Sequence, residues 1–153
     1  MSDTIDKIID VLSEDAILTS QSGHSEGNPR IFSHIDTRQG LTAAERYPYC
    51  VISQVRGDSV GRNSSGRYFD RLWYDIIWND IDEIRARSLR ERSSVVLVAA
   101  SQLGDLDSTE GCVSDLWPTS KNQFISENTR VEDGAGTVVH SIVTIQVLES
   151  RSV

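Results

Sequence analysis

The run Arg67-Tyr-Phe-Asp-Arg-Leu-Trp-Tyr-Asp-Ile-Ile-Trp78 contains no glycine or proline. It is dense in aromatic and β-branched side chains, the composition of a pleated strand. Alternation sets Phe69, Arg71, Trp73, Asp75 and Ile77 on one face. Tyr68, Asp70, Leu72, Tyr74, Ile76 and Trp78 lie on the other, so a mostly buried face backs onto a mixed one. At Asn79-Asp80 the period changes. Asp80 with Glu83 has capping-box spacing, and Asp82 and Glu83 add negative charge where a helix N-terminus favours it. Ile81, Ile84, Ser88, Val95, Ala99 and Leu103 then fall on one helical face, with Arg85, Arg87, Arg90 and Arg92 on the wet side. Val95-Val-Leu-Val98 also fits a strand, which would end the helix near Arg92. A strand feeding directly into a helix is therefore the scaffold on which the rest must pack.

The flanking elements follow from period and punctuation. Thr4–Leu18 predicts a helix with Ile5, Ile8, Ile9 and Leu12 as its apolar stripe, capped by Asp3 or Thr4. Ser20–Pro29 reads as a loop and Arg30–Ile35 as a short strand, with Ile31, Ser33 and Ile35 on one side. Asp36–Arg46 is polar and ends in a helical turn at Thr42-Ala-Ala-Glu45. Tyr47–Val55 is the next strand, with Pro48 confined to its start or to an edge, because proline has no N–H for the ladder. Arg56–Gly66, rich in glycine and serine, predicts a long hairpin-type loop. Gly104–Asn128 reads as irregular, anchored by Leu116, Trp117 and Phe124, with Trp117-Pro118 barring a helix. Arg130–Asp133 begins a strand, Gly134-Ala-Gly136 turns, and Thr137–Leu148 is the last strand. Its residues Val139, Ser141, Val143, Ile145 and Val147 alternate against Val138, His140, Ile142, Thr144 and Gln146. The expected fold is α+β: a mainly antiparallel sheet with helices packed on one face, in one domain spanning residues 1–153.

The charge pattern excludes several function classes. A formal net charge of −8 opposes gripping nucleic acid, which calls for clustered cations. Lys7 and Lys121 are the only lysines, so arginine supplies 13 of the 15 cations. An acid-rich, lysine-poor composition resembles that of proteins from salt-loving archaea. At about 1 M salt the Debye length falls to about 3 Å, and an acidic surface costs little. No apolar run approaches the roughly 20 residues of a membrane span, so no membrane partner is expected. The start, Met1-Ser-Asp-Thr-Ile-Asp, is acidic and lacks an apolar stretch, unlike a secretory leader. Cys50 and Cys112 are too few for a disulfide framework, and Cys50 reads as a small buried hydrophobe. His24, His34 and His140 show no ligand spacing with one another or with the cysteines, so no metal is expected.

Most motifs dissolve on inspection. Gly57-Asp-Ser-Val-Gly61 matches the nucleophile elbow, whose serine needs a sharp strand-to-helix turn. Arg62-Asn-Ser-Ser-Gly66 is a poor helix start for that elbow. Gly57-Asp-Ser59 also matches the Gly-Asp-Ser block of a different hydrolase family, which needs a late Asp-x-x-His pair, but Thr137 stands where the aspartate before His140 is required. Ser59 as the nucleophile of a small hydrolase is thus the alternative reading. Arg56-Gly57-Asp58 is the adhesion tripeptide in letters only, and Asn63-Ser-Ser65 is a glycosylation sequon on a loop. No glycine spacing fits a phosphate or dinucleotide loop, so no cofactor is expected. Asp80 with Asp82, and Asp105 with Asp107, read as solvated charges. Trp73, Trp78 and Trp117 read as core or interface anchors.

In its order of elements the chain resembles the tail terminator (tail-completion, head-to-tail joining) family of long-tailed viruses. The resemblance rests on the N-terminal helix before Arg30-Ile-Phe32, on Tyr47-Pro-Tyr-Cys-Val-Ile-Ser53, on Arg71-Leu-Trp-Tyr-Asp-Ile-Ile-Trp78 running into a helix, and on the closing strand Val138–Val147. It covers most of the chain, but Gly57–Gly66 and Gly104–Asn128 are not diagnostic. It leaves room for another neck protein, a head-completion or adaptor ring. The resemblance implies a non-enzymatic virion component of the tail or neck, assembled in the host cytoplasm. Its subunits form a homo-oligomeric ring, usually sixfold. The ring caps the tail tube, docks it to the head connector and lets genomic DNA through its channel without specific binding. With the salt-adapted composition it implies a virus of a haloarchaeon. The subunit contacts are expected at Arg56, Arg62, Asn63 and Arg67, where Arg62 and Arg67 would meet a neighbour's carboxylates.

Overall fold

A computed structural model describes residues 3–62, 68–103, 111–130 and 137–151. In chain order the elements are α1 (Asp3–Glu14), α2 (Ala16–Ser22), β1 (Ile31–Ser33), α3 (Ala43–Arg46), β2 (Tyr49–Arg62), β3 (Tyr68–Asp80), α4 (Glu83–Leu103), β4 (Gly111–Arg130) and β5 (Thr137–Arg151). The strands make one sheet in the order β1-β2-β3-β5-β4. β1 runs parallel to β2, and every other pairing is antiparallel. The fold is α+β, as the alternation of patterns predicts.

Register explains why one face is buried. Cys50 stands opposite Trp78, and Ile52 opposite Ile76. Ile76 stands opposite Val143, Tyr74 opposite Ile145, and Leu72 opposite Val147. These residues therefore form continuous rows on one side of the sheet. Ile5, Ile8 and Leu12 of α1, Leu18 of α2, and Leu89, Leu97 and Ala100 of α4 close over them to make the core. The opposite face carries Val51, Trp73, Asp75, Ile77, Ile142 and Thr144, all half-buried. On it the Thr144 hydroxyl donates to Asp75 Oδ1 at 2.7 Å. At one end of that second face Ala43 of α3 packs with Tyr47 and Val138.

Several expectations need correction. The helix expected over Thr4–Leu18 breaks at Asp15, whose carboxylate caps α2 by accepting from Leu18 N at 3.0 Å. The capping box expected from Asp80 is shifted: Asp82 Oδ1 accepts from Ile84 N and Arg85 N and is the cap of α4. α4 does not stop near Arg92 but continues to Leu103, so Val95–Val98 is helical. Its buried face also differs from the expected one. Ile84 and Val95 are 79% and 57% exposed, while Ala86, Leu89, Arg90, Ser93 and Leu97 are buried. Arg90 is therefore not on the wet side. Ile35, expected to share a face with Ile31, lies beyond the end of β1 and is exposed.

The two stretches read as irregular contain strands. β2 runs through the glycine- and serine-rich segment to Arg62, with Arg56, Gly57, Asp58 and Ser59 opposite Trp73, Leu72, Arg71 and Asp70. Ladder pairing to a strong neighbour overrides local composition, which is the ordinary behaviour of β propensity. Residues 111–128, expected to be irregular, belong to β4, which pairs with β5 through shifts in register around Pro118. The strand start expected at Arg130–Asp133 and the turn at 134–136 lie, apart from Arg130, outside the described residues.

Candidate assembly surface

The sheet has two unlike edges. β1 covers β2 only from Cys50 to Ile52, and His34 N extends the contact by donating to Ile52 O at 2.9 Å. From Ser53 to Arg62 no strand among the described residues lies on the outer side of β2. Its backbone N–H and C=O groups there offer an edge that another chain can extend. The register of β2 shifts between Gln54 and Arg56 and again between Ser59 and Gly61. Such bulges sharpen the twist of an edge. The first shift turns Val55 outward, half exposed. A Cβ at Gly57 would meet Gln54 Nε2 at 2.9 Å and Leu72 Cδ2 at 3.0 Å, so a larger residue there would push these two side chains aside. β4 is the other edge.

Of the residues expected at the subunit interface, Arg56 and Arg62 belong to this outer half of β2 rather than to a loop. Asn63 and Arg67 lie outside the described residues. Ser59 is paired within the β2–β3 ladder opposite Asp70. The backbone there is extended on both sides, so the strand-to-helix turn that a nucleophile elbow requires is absent.

A second cluster, which sequence reasoning did not single out, assembles at the β1 end of the sheet's second face. Phe32 stands opposite Val51 in the parallel pair, which places it on that face. The Arg38 guanidinium lies over Phe32 at 5.0 Å and over Tyr49 at 5.7 Å. Arg46 lies over Tyr49 at 5.7 Å and over Tyr47 at 5.8 Å. Aromatic rings and guanidinium planes thus alternate, the arrangement in which each ring's negative face meets a cation. Arg38 is further fixed by Asp36, through Nε to Oδ1 at 2.9 Å and Nη2 to Oδ2 at 3.0 Å, and by the Arg46 carbonyl. Partial burial opposes ionisation of Asp36, but the Arg38 contacts outweigh it and hold the carboxyl below its usual range. Arg46 is partly buried as well, yet Tyr49, Tyr47 and Asp36 raise its pKa. The turn beneath is set by Thr42 and Glu45, a complete capping box at the start of α3. The sequence signal was present in Arg38, Arg46 and Tyr47-Pro-Tyr49, but nothing in their spacing shows that loop, turn and strand converge.

Other polar groups among the described residues hold the scaffold together. Asp80, fully buried, accepts from Ile81 N, from Asp82 N and from both Nε and Nη2 of Arg85, which fixes the β3-to-α4 corner. His24 Nδ1 accepts from Arg30 N at 2.9 Å, and burial lowers its pKa. Cys50 is fully buried, and burial pushes its thiol far up, so it is the small hydrophobe that its sequence context suggests. Among the described residues no helix is long and apolar enough to cross a membrane, and no cluster of His, Cys, Asp and Glu is placed to hold a metal ion.

No protein-family profile matches the chain, and no curated protein matches it in sequence. Its fold is shared with a chain of a solved particle described as the virion of a native gene transfer agent. The two superpose with a TM-score of 0.59 at 15% sequence identity, over 94% of this chain and 93% of the other.

Proposed function

We propose that this chain is a non-enzymatic structural protein of a virion, and more specifically a tail terminator. In this reading its subunits close into a ring of six that caps the tail tube and joins it to the head connector. The observation that carries the reading is the fold likeness to a virion-particle chain over nearly the whole length of both chains. The two unlike edges support it further, because a closed ring is heterologous and needs two different patches on each subunit. Genomic DNA crosses the channel without specific binding, in keeping with a net charge of −8. The protein resides in the tail or neck of the particle after assembly in the host cytoplasm, and its acidic, arginine-dominated composition fits a virus of a haloarchaeon.

Molar mass by light scattering in multi-molar KCl, followed by imaging with purified tail tubes, tests the reading. Sixfold rings, or density capping the head-proximal end of the tube, are expected. A protein that stays monomeric and ignores the tubes would overturn the terminator assignment. It would favour a head-completion or adaptor ring that assembles on the portal.

A further inference from the structure

Arg38, Gln39, Gly40, Leu41 and Arg46 enclose a surface cavity of about 270 Å³. Arg38 is neutralised from within by Asp36 at 2.9 Å, whereas Asp36 acts on Arg46 without a direct ion pair between them. Arg85 pairs with Asp80, Arg92 with Asp15, Arg87 with Glu83 and Arg90 with Glu91, all within the subunit. Arg46 is held in place by two tyrosine rings, so little side-chain entropy remains to be lost when it meets an anion. Leu41, half-buried in the same cavity, offers an apolar wall for the methylene groups of a carboxylate side chain.

The complementary feature lies on the other side of the molecule. Thr4, Ile5, Ile8 and Leu12 turn α1 toward the core, which leaves Asp6, Asp10 and Glu14 exposed at successive four-residue steps. Like charges at that spacing repel one another along the helix, and a cation from outside relieves the repulsion. α1 covers the Ile76–Trp78 face of the sheet, whereas the Arg46 cavity stands by Phe32 and Tyr49 on the second face. Cation and carboxylates therefore sit on opposite sides of one subunit. That is the placement for a head-to-tail contact between copies, not a two-fold one.

The geometry points to the Arg46 cavity as a carboxylate-binding site that receives the Asp6–Asp10–Glu14 stripe of a second copy of this chain. The inference rests on the self-association in the reading above but not on tail-tube capping. Guanidinium binds phosphate as readily as carboxylate, but a nucleic-acid strand is repelled by the chain's overall charge.

The test uses two variants of the full chain, Arg46→Glu and Asp6→Lys/Asp10→Lys/Glu14→Lys, with Glu26→Lys as an exposed control. Sedimentation and light scattering are run at the lowest KCl that keeps each folded by circular dichroism. Each interface variant alone should lose self-association by tenfold or more, the control should not, and mixing the two should restore it. A photo-crosslinker at Gln39 of the wild-type chain should capture the α1 peptide of another copy. Association that survives both variants would overturn the inference while leaving the ring intact. Absence of both association and crosslinks, or crosslinks to added DNA in place of α1, would overturn it too.

Discussion

Trp78 Nε1 donates to Ser93 Oγ at 2.8 Å, and neither residue is exposed to solvent. The Ser93 hydroxyl in turn donates to Leu89 O at 2.8 Å. This pair locks α4 against β3 and explains why a serine occupies the middle of the helix's buried face. A buried indole N–H left without an acceptor costs about 1–3 kcal/mol. Ser93→Ala is expected to lower unfolding stability by that amount in urea titrations, whereas Ser94→Ala, one residue along on the half-buried flank, should change it little.

The corner after β3 depends on a single carboxylate. Asp80→Ala removes the acceptor for two backbone N–H groups and leaves the Arg85 guanidinium without its partner. Leaving backbone N–H groups at a buried corner without their acceptor costs about 1–3 kcal/mol, and the half-exposed Arg85 pair adds less, because water can solvate the freed guanidinium. Asp82→Ala removes only the cap of α4, worth about 1 kcal/mol. The expected order of midpoints in chemical denaturation is wild type, then Asp82→Ala, then Asp80→Ala.

Two groups give stability opposite reference points on the same acid limb. The bonds from Arg92 hold Asp15 below its ordinary value of 3.8, with burial opposing them. The unfolded chain then binds the proton first, so this contribution is complete above about pH 4 and fades as pH falls through the folded value. Burial lowers His24 from its ordinary 6.5. Here too the unfolded state is protonated first, and stability declines as pH drops below about 6.5. Protonation would also abolish the Nδ1 acceptor used by Arg30 N. Unfolding free energy should therefore fall in two steps on acidification. His24→Gln should flatten the upper step and Asp15→Asn the lower.

The strands with strict two-residue alternation were legible: in β3 and β5 one set of alternate residues, Tyr74, Ile76, Trp78, Val143, Ile145 and Val147, is buried, and the other set is half-buried. The paired, Gly-rich end of β2 was not, because its ladder is dictated by β3 rather than by its own residues. The face of α4 misled for a related reason. Ile84 and Val95 point outward, while Ala86, Arg90 and Ser93 join Leu89 and Leu97 on the side that faces the sheet. Ala86 and Ser93 fit between the two leucines because Tyr74, Ile76 and Trp78 supply bulk from below. The arginine–aromatic cluster was out of reach, since its members come from a loop, a one-turn helix and two strands.

The acidic surface makes a final prediction about salt. Asp6, Asp10 and Glu14 form two repulsive four-residue steps on α1, each costing about 0.2–0.5 kcal/mol at low ionic strength. The excess of 23 carboxylates over 15 cations adds a diffuse repulsion of the same sign. Between about 0.1 M and about 1 M salt the Debye length shrinks from about 10 Å to about 3 Å, and both terms fade. The melting temperature should therefore climb steeply with KCl over this range. General salting-out would produce a climb as well, so the discriminating variant is Asp6→Asn/Asp10→Asn/Glu14→Asn. If repulsion is the cause, this variant melts higher than wild type in dilute buffer and gains less from added KCl, and the two curves converge at high salt. Parallel curves would assign the salt response to solvent exclusion and remove the physical basis for a salt-adapted surface.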